Sequence, residues 1–326
     1  GLRRAQGPDG GLAVARASFV GGASSTSNVL AGKIYGIPVF GTHAHSWVMA
    51  FPSELEAFRA YARSMPKNCV LLVDTYDVEQ GIRNAITVGL EMRARGERLA
   101  GIRIDSGDLA WLAKMARRML DEAGLQDCGI VLSNDLDEYT IQSLFAQGAP
   151  IDSFGVGTKL ATCDPQPSLG GVYKLSAIRA SADEPWRPVI KLSEQAYKRT
   201  IPGIQRVLRF YDETECPVGD MICQEGADPS CDEMIDILDS FRSYDLSGAY
   251  RELLIRVVDH GRGTDAGAVS IEHARERCKS AIMHLDAAVT RFLNPQTYPV
   301  GLELGLARLR QELSAEERRS SGRALL

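Results

Sequence analysis

Two stretches of this chain repeat one pattern. Val70-Leu71-Leu72-Val73-Asp74-Thr75-Tyr76-Asp77 and Gly101-Ile102-Arg103-Ile104-Asp105-Ser106-Gly107-Asp108 each run from apolar residues into Asp-Thr/Ser-x-Asp, 31 residues apart. That spacing is one β/α unit, so two aspartate pairs are expected at the same end of neighbouring parallel strands, where α/β folds place their chemistry. Arg103 lies inside the second strand, where a buried cation needs a partner, either Asp105 or a ligand anion. His43 and His45 stand two apart just past another short strand, and in extended backbone both can point to one side. One imidazole oriented by a carboxylate, with Asp74 the nearest candidate, would be a base or a phosphate-accepting nucleophile. Two imidazoles could instead begin the metal site of a barrel hydrolase. Such sites draw further histidines from later strand ends, and the others here, His260, His273 and His284, lie downstream.

Gly155-Val156-Gly157-Thr158 after an apolar strand suits a phosphate, because glycines let backbone N–H groups approach its oxygens and the hydroxyl adds a donor. A tight βα turn would use the same residues. Arg3 and Arg4, beside glycine and Gln6, could clamp a diphosphate or carboxylate bidentately. A solvated basic pair is the plainer alternative.

These groups need elements to hold them. Residues 79–95 and 109–123 read as amphipathic helices, the second closed by Gly124. A third unit follows, with strand 129–132, polar end Ser133-Asn134-Asp135, and a helix to Gln147 stopped by Gly148 and Pro150. Asp135 with Glu138 would make a capping box there. Ile151 to Phe154 form a fourth strand, and Ile37-Pro38-Val39-Phe40 an upstream one that delivers Gly41 to His45. Strand alternating with helix is the parallel-sheet signature. Residues 1–180 are therefore expected to form a barrel-like core carrying the site. Residues 181–326 read as β-rich with turns, and mostly helical from 271 onward, broken by Asn294-Pro295 and Pro299. Leu253 to Asp259 followed by Gly261-Arg262-Gly263-Thr264 superficially resembles a diphosphate-sugar loop, but it lacks paired acids and reads as a core strand and turn.

The bulk numbers narrow the classes. A chain of 326 residues, 44% hydrophobic and 24% charged, can bury a large domain with an appendage. A net charge of −5 argues against a nucleic-acid partner. No apolar run reaches bilayer length and no basic-then-apolar leader is present, so no membrane partner is expected and cytoplasm is the expected location. Seven cysteines, an odd number in a long chain, do not resemble a secreted disulfide framework. Cys216, Cys223 and Cys231 lie close together without Cys-x-x-Cys spacing, which favours plain thiols over zinc. The chain starts with Gly1, and its chemistry begins at once with Leu2-Arg3-Arg4, so it reads as a piece of a longer protein.

Taken together, these residues resemble the nicotinate phosphoribosyltransferase family. The matching stretches are residues 1–12 (GLRRAQGPDGGL), 26–47 (TSNVLAGKIYGIPVFGTHAHSW), LLVDTYD, GIRIDSGDL, LSNDLDE, FGVGTKLAT, LGGVYKL, KLSEQAYKRTIPG and NPQTYPVGL, in family order over most of the chain. The resemblance implies a type II phosphoribosyltransferase. Its fold is an irregular TIM-like α/β barrel with a β-rich and helical C-terminal extension, the N-terminal domain largely missing here. Residues 181–326 would then be the rest of the flanking domain and that extension. The implied reaction joins nicotinate to phosphoribosyl diphosphate, giving nicotinate mononucleotide and diphosphate with coupled ATP hydrolysis, in NAD biosynthesis.

By motif, His45 matches the histidine that ATP phosphorylates and Asp74 the acid that would orient it. Arg103 resembles a residue near the pyridine ring and diphosphate, and Asp105 one on the ribose hydroxyls, with Ser106 beside it. Asn134 and Asp135 resemble further sugar contacts. Gly155, Gly157 and Thr158 resemble the 5′-phosphate cradle, and Arg3 the arginine of the ring and diphosphate site. Magnesium is implied mainly through diphosphate oxygens, with few protein ligands, and a homodimer is implied for the full-length protein. The family places an aromatic residue directly before Gly-Leu-Arg-Arg, so residues 1–326 alone are expected to turn over poorly. The rivals are a nicotinamide-using relative, a metal-dependent barrel hydrolase using His43 and His45, and an inactive fragment.

Overall fold

Four short apolar segments, Val70–Leu72 (β1), Gly101–Ile104 (β2), Gly129–Ser133 (β3) and Ser153–Gly155 (β4), pair in parallel in that order in the computed structural model. The structure describes residues 2–193, 199–227, 233–246 and 248–320. They fall into two compact units, Gly1–Leu169 and Gly170–Leu326. In the first unit the register sets Leu72 beside Arg103, Arg103 beside Val131 and Ser133 beside Gly155. The strand ends that carry Asp74, Asp105, Asn134 and Gly155 therefore share one edge of the sheet.

Parallel neighbours require crossovers, and helices supply them: Val78–Ala94, Leu109–Glu122 and Glu138–Ala146. In chain order the helices of this unit are α1 (Gly7–Val20), α2 (Val29–Tyr35), α3 (His45–Met49), α4 (Glu54–Ser64), those three crossovers as α5, α6 and α7, and α8 (Thr158–Thr162). Helix α5 buries Ile82, Ala85, Val88 and Met92 and α6 buries Leu112, Ala113, Ala116 and Leu120, the i, i+3, i+4 stripes that the sequence displays. They pack in one core with Leu71, Ile102, Ile104, Ile130 and Leu132. Truncating any of the larger of these to alanine is expected to cost about 2–5 kcal/mol.

The aspartate repeat has a division of labour. Asp77 and Asp108 are the N-caps of α5 and α6, accepting from the N–H groups of Gln80 and Trp111, each contact contributing about 1 kcal/mol. The first aspartate of each pair is left for the sheet edge. In the third unit Asp137 caps α7 by accepting from Thr140 N at 2.7 Å, which corrects the expected box of Asp135 with Glu138. The reason is local: Asn134 and Asp135 both adopt positive φ, 98° and 39°, so the chain is still turning at Asp135. Asn134 to Asp137 thus repeats the three-residue spacing of Asp74 to Asp77.

The upstream segment around Ile37 to Phe40 does not join the sheet as a strand. It makes one parallel bridge, Thr26 to Val39. Among the described residues the parallel sheet has four strands, and its closure into a barrel is not seen. No helix among the described residues is long and apolar enough to cross a membrane.

Among the described residues of the second unit, two small strand pairs form, β5 (Ala177–Ile178) with β6 (Arg187–Pro188) and β12 (Val258–Asp259) with β13 (Arg262–Gly263). Its main sheet has the order β10 (Ser243–Asp245), β9 (Glu233–Asp236), β14 (Val300–Glu303), β8 (Pro217–Gln224), β7 (Gln205–Tyr211), β11 (Ala249–Glu252). Helices α9 (Ile271–Met283), α10 (Ala287–Thr290) and α11 (Leu304–Ser320) follow. Two expectations are corrected. The stretch after Pro299 is not a break between helices: Val300–Glu303 is a central strand, with Gly301 tight against the Ile235 carbonyl. Leu253 to Asp259 is no core strand, since Leu254, Ile255, Val257 and Val258 are exposed and only a two-residue hairpin forms. Cys223 sits in the apolar core beside Met221, its thiol raised by burial, while Cys216 is half-buried; Cys231 lies outside the described residues.

One contact in the first unit ties a helix directly to the site. A Cβ on Gly81 of α5 would meet the Val73 carbonyl oxygen at 1.9 Å. Gly81→Ala must push α5 off the end of β1, at an expected cost of about 2–4 kcal/mol. Urea unfolding measures it, and an unchanged midpoint would contradict this packing.

Candidate functional site

Asp74 leaves β1 with no exposed side-chain surface, and a buried carboxylate requires donors. They come from the next strand end: Asp74 Oδ2 accepts from Asp105 N at 2.9 Å and from Ser106 Oγ at 2.6 Å. Its other oxygen, Oδ1, is buried without a hydrogen bond and stands 4.0 Å from His45 Nε2. His45 is the first residue of α3. Its Nδ1 shares a hydrogen bond of 3.1 Å with Thr75 Oγ1, and its Nε2 lies 3.8 Å from Asp105 Oδ2. The imidazole thus stands between two carboxylates of adjacent strands at ion-pair range, while its direct hydrogen bond is to a hydroxyl. The ring is 40% exposed, so a ligand can reach it.

Arg103 completes the group. Its Nε donates to Ser133 Oγ at 2.8 Å, its Nη1 to Thr42 Oγ1 at 2.9 Å, and its Nη2 lies 3.2 Å from Asp105 Oδ1. Ser133 in turn donates to Asp105 Oδ1. The contact with Asp105 is one of the two partners that the sequence leaves open for Arg103.

The two histidines differ sharply. His43 is buried, and its Nε2 accepts the Leu72 N–H at 3.1 Å while Nδ1 faces the Ala44 carbonyl at 3.3 Å. It takes the place of a backbone acceptor beside β1, with its ring edge-on to Tyr61 at 4.7 Å. Both ring nitrogens are engaged. The hydrolase reading, which needs His43 and His45 as joint metal ligands, is corrected on that ground. Burial lowers the His43 pKa to about 4, with the charges of Arg103 and His45 adding to the effect and the Ala44 contact opposing it.

The remaining candidates gather around the ends of β3 and β4. Asn134 and Asp135 follow Ser133 and are exposed. Asp135 lies near Lys159 of α8, whose pKa is raised first by Asp164 and more weakly by Asp137 and Asp135. Gly155 ends β4 with its α-carbon facing Ser133, where a Cβ would stand 3.3 Å from Ser133 Cβ. Gly157 precedes α8 with open space around it, and Thr158 is the first residue of that helix. Arg3 is exposed in a 3-10 turn, Leu2–Arg4, that packs beside α8. A cavity of about 440 Å³ opens there, lined by Leu2, Thr26, Asn28, Phe154 and Gly157 among others. The contacts joining His45, Asp74, Arg103 and Asp105 run on to Ser106 and Ser133, not to Arg3. Thr42, Thr75 and Ser133 were missed as site residues in the sequence, although Thr75 holds the same place in its repeat as Ser106.

The fold and this edge define a parallel α/β protein whose polar chemistry is concentrated where the strands end. Residues 6–214 match the model of the nicotinate phosphoribosyltransferase (NAPRTase) family, and residues 204–310 match the nicotinate phosphoribosyltransferase C-terminal domain. The chain belongs to the nicotinate phosphoribosyltransferase family. It is 51% identical over 217 residues to the nicotinate phosphoribosyltransferase of Bacillus subtilis (strain 168), covering 66% of this chain and 43% of that protein. It is 36% identical over 322 residues to one from Mycobacterium tuberculosis, covering 97% of this chain and 63% of the other. The crystal structure of human nicotinic acid phosphoribosyltransferase superposes with a TM-score of 0.79 at 28% identity, covering 96% of this chain and 69% of that one. The chain spans about half the length of several curated relatives it matches.

The His43 geometry predicts an acid sensitivity. A base whose pKa is depressed on folding stabilises the fold above its unfolded pKa and loses that contribution as pH falls through the folded value. For His43 the window runs from 6.5 down to about 4, and the loss is about 3 kcal/mol. Urea unfolding across that window should show a shallower decline in His43→Gln, whose amide oxygen can accept from Leu72 N. Parallel curves for the two proteins would refute it.

Proposed function

We propose that this chain carries the strand-end machinery of a nicotinate phosphoribosyltransferase, which forms nicotinate mononucleotide and diphosphate from nicotinate and phosphoribosyl diphosphate with coupled ATP hydrolysis. The observation that carries the reading is the exposed His45 imidazole between Asp74 and Asp105, in one network with Arg103, in a chain of this family. Displacing diphosphate from C1 of ribose builds positive charge on the sugar and negative charge on the leaving group. The protein need supply no covalent nucleophile to the sugar; it holds, neutralises and aims.

In this reading Asp105, Asn134 and Asp135 take the ribose hydroxyls. Gly155, Gly157 and Thr158 receive the 5′-phosphate, and Arg103 and Arg3 face the diphosphate and the nicotinate carboxylate. Ser106 joins Asp105 at the substrate, its hydroxyl also donating to Asp74. Hard carboxylate oxygens at the strand ends fit magnesium that keeps diphosphate and water as its main ligands, and the metal would neutralise the leaving group. His45 is the residue that ATP phosphorylates, held by Thr75 with the two acids beside it. A homodimer and a cytoplasmic setting belong to the same reading.

Two substitutions test it in the intact enzyme. His45→Ala should abolish nicotinate-stimulated ATP hydrolysis while thermal unfolding stays near wild type; undiminished stimulation removes His45 from the phosphoryl step. Arg103→Lys keeps the charge but loses the fork that reaches Ser133, Thr42 and Asp105 together. Its kcat/KM for nicotinate should fall about 100-fold, and wild-type turnover would sink the assignment.

A further inference from the structure

Two buried side-chain oxygens lack a hydrogen-bond partner among the described residues: Asp74 Oδ1, at the site, and Glu54 Oε1. Each such acceptor costs about 1–3 kcal/mol. Glu54 is the first residue of α4 and is 7% exposed. Its other oxygen accepts from Asn84 Nδ2 of α5 at 2.8 Å, and Asn84 Oδ1 accepts from Gln80 Nε2 at 3.1 Å.

What α4 and α5 hold gives this contact its meaning. Helix α4 anchors α3, the helix that begins with His45, through the Trp47 indole N–H on the Ala57 carbonyl at 3.1 Å. Helix α5 lies with Gly81 against Val73, the residue before Asp74. The His45–Asp74 pair is therefore assembled from two bodies, α3 with α4 and β1 with α5; Arg59 with Glu91 joins them at the more exposed side, and Glu54 with Asn84 is the buried polar tie. Burial raises the Glu54 pKa, and nearby Asp77 and Asp74 raise it further against the opposing Asn84 bond. The tie needs only an acceptor oxygen at residue 54, which a glutamine amide also presents.

We propose that Glu54 is a positioning residue whose hydrogen bond from Asn84 sets the distance of His45 from Asp74. The proposal rests on the reading of His45 as the reacting group only for its kinetic consequence. The test compares Glu54→Gln, Glu54→Ala and Asn84→Ala in the intact enzyme. Glu54→Gln should retain kcat. Glu54→Ala and Asn84→Ala should each lose about tenfold in kcat with KM for nicotinate little changed. In parallel, the imidazole NMR signals of His45 should shift in both alanine variants and stay in place in Glu54→Gln.

The NMR readout does not depend on the reaction. Shifted His45 signals without phosphoribosyl transfer in the wild type would uphold the tie and reject the proposed function. Folded alanine variants with unmoved His45 signals and wild-type kcat would overturn the tie. So would a folded Glu54→Gln as impaired as Glu54→Ala, because its amide oxygen keeps the acceptor that the tie needs. If Glu54→Ala does not fold, Glu54→Gln and Asn84→Ala decide the matter by the same criteria.

Discussion

The arrangement depends on one buried carboxylate. The Asp74 side chain has no exposed surface, and both donors that satisfy its Oδ2 belong to the neighbouring strand end, Asp105 N and Ser106 Oγ. Hydrogen bonds to a charged group contribute about 1.5–3 kcal/mol, and leaving such a charge unpaired costs more than the bonds return. The ends of β1 and β2 are thereby locked to each other by side chain and main chain together. Once they are, Asp105 must lie where Arg103 and Ser133 can reach it, and the ends of β3 and β4 follow through the register of Ser133 with Gly155.

Much of this was legible in the sequence because the β/α unit repeats. The apolar runs, the α5 and α6 stripes and the aspartates at the strand ends appear where their spacing puts them. Family motifs add expectations for residues whose types alone are ambiguous, such as Gly157 and Asn134. What spacing could not show was which aspartate does what. Asp74 and Asp77 look alike in a string; one is an acceptor held by the next strand and the other a helix cap, a distinction set by the direction the chain takes after β1. The box expected at Asp135 failed for the same reason, since positive φ at two non-glycine residues is a property of the turn.

His43 and His45 make the point at closer range. As two imidazoles two residues apart they could have formed a metal pair. The helix starting at His45 breaks the extended geometry that such a pair needs. His43 turns inward to replace a missing ladder acceptor for Leu72, and His45 remains at the mouth. The Ile37 to Phe40 segment pairs instead with Thr26, through a single parallel bridge. In the second unit the strand after Pro299 is not legible because four residues, Val300 to Glu303, in helical surroundings carry no period of their own.

Hydroxyls do most of the joining at this edge: Thr42 to Arg103, Thr75 to His45, Ser106 to Asp74 and Ser133 to Asp105. They satisfy charged groups without adding charge, so His45 faces two carboxylates with, among the described residues, the Arg103 guanidinium nearby. On the proposed reading that imbalance has a use. A phosphoryl group adds roughly 1.5 to 2 negative charges, and unit charges about 4 Å apart repel by about 4 kcal/mol at the effective dielectric of a protein surface. A phosphohistidine formed beside Asp74 and Asp105 would be destabilised where it stands and would be relieved by whatever cation a diphosphate substrate brings. The geometry around His45 therefore suits a residue meant to lose its phosphoryl group, and a role as a permanent anion would call for the opposite neighbours.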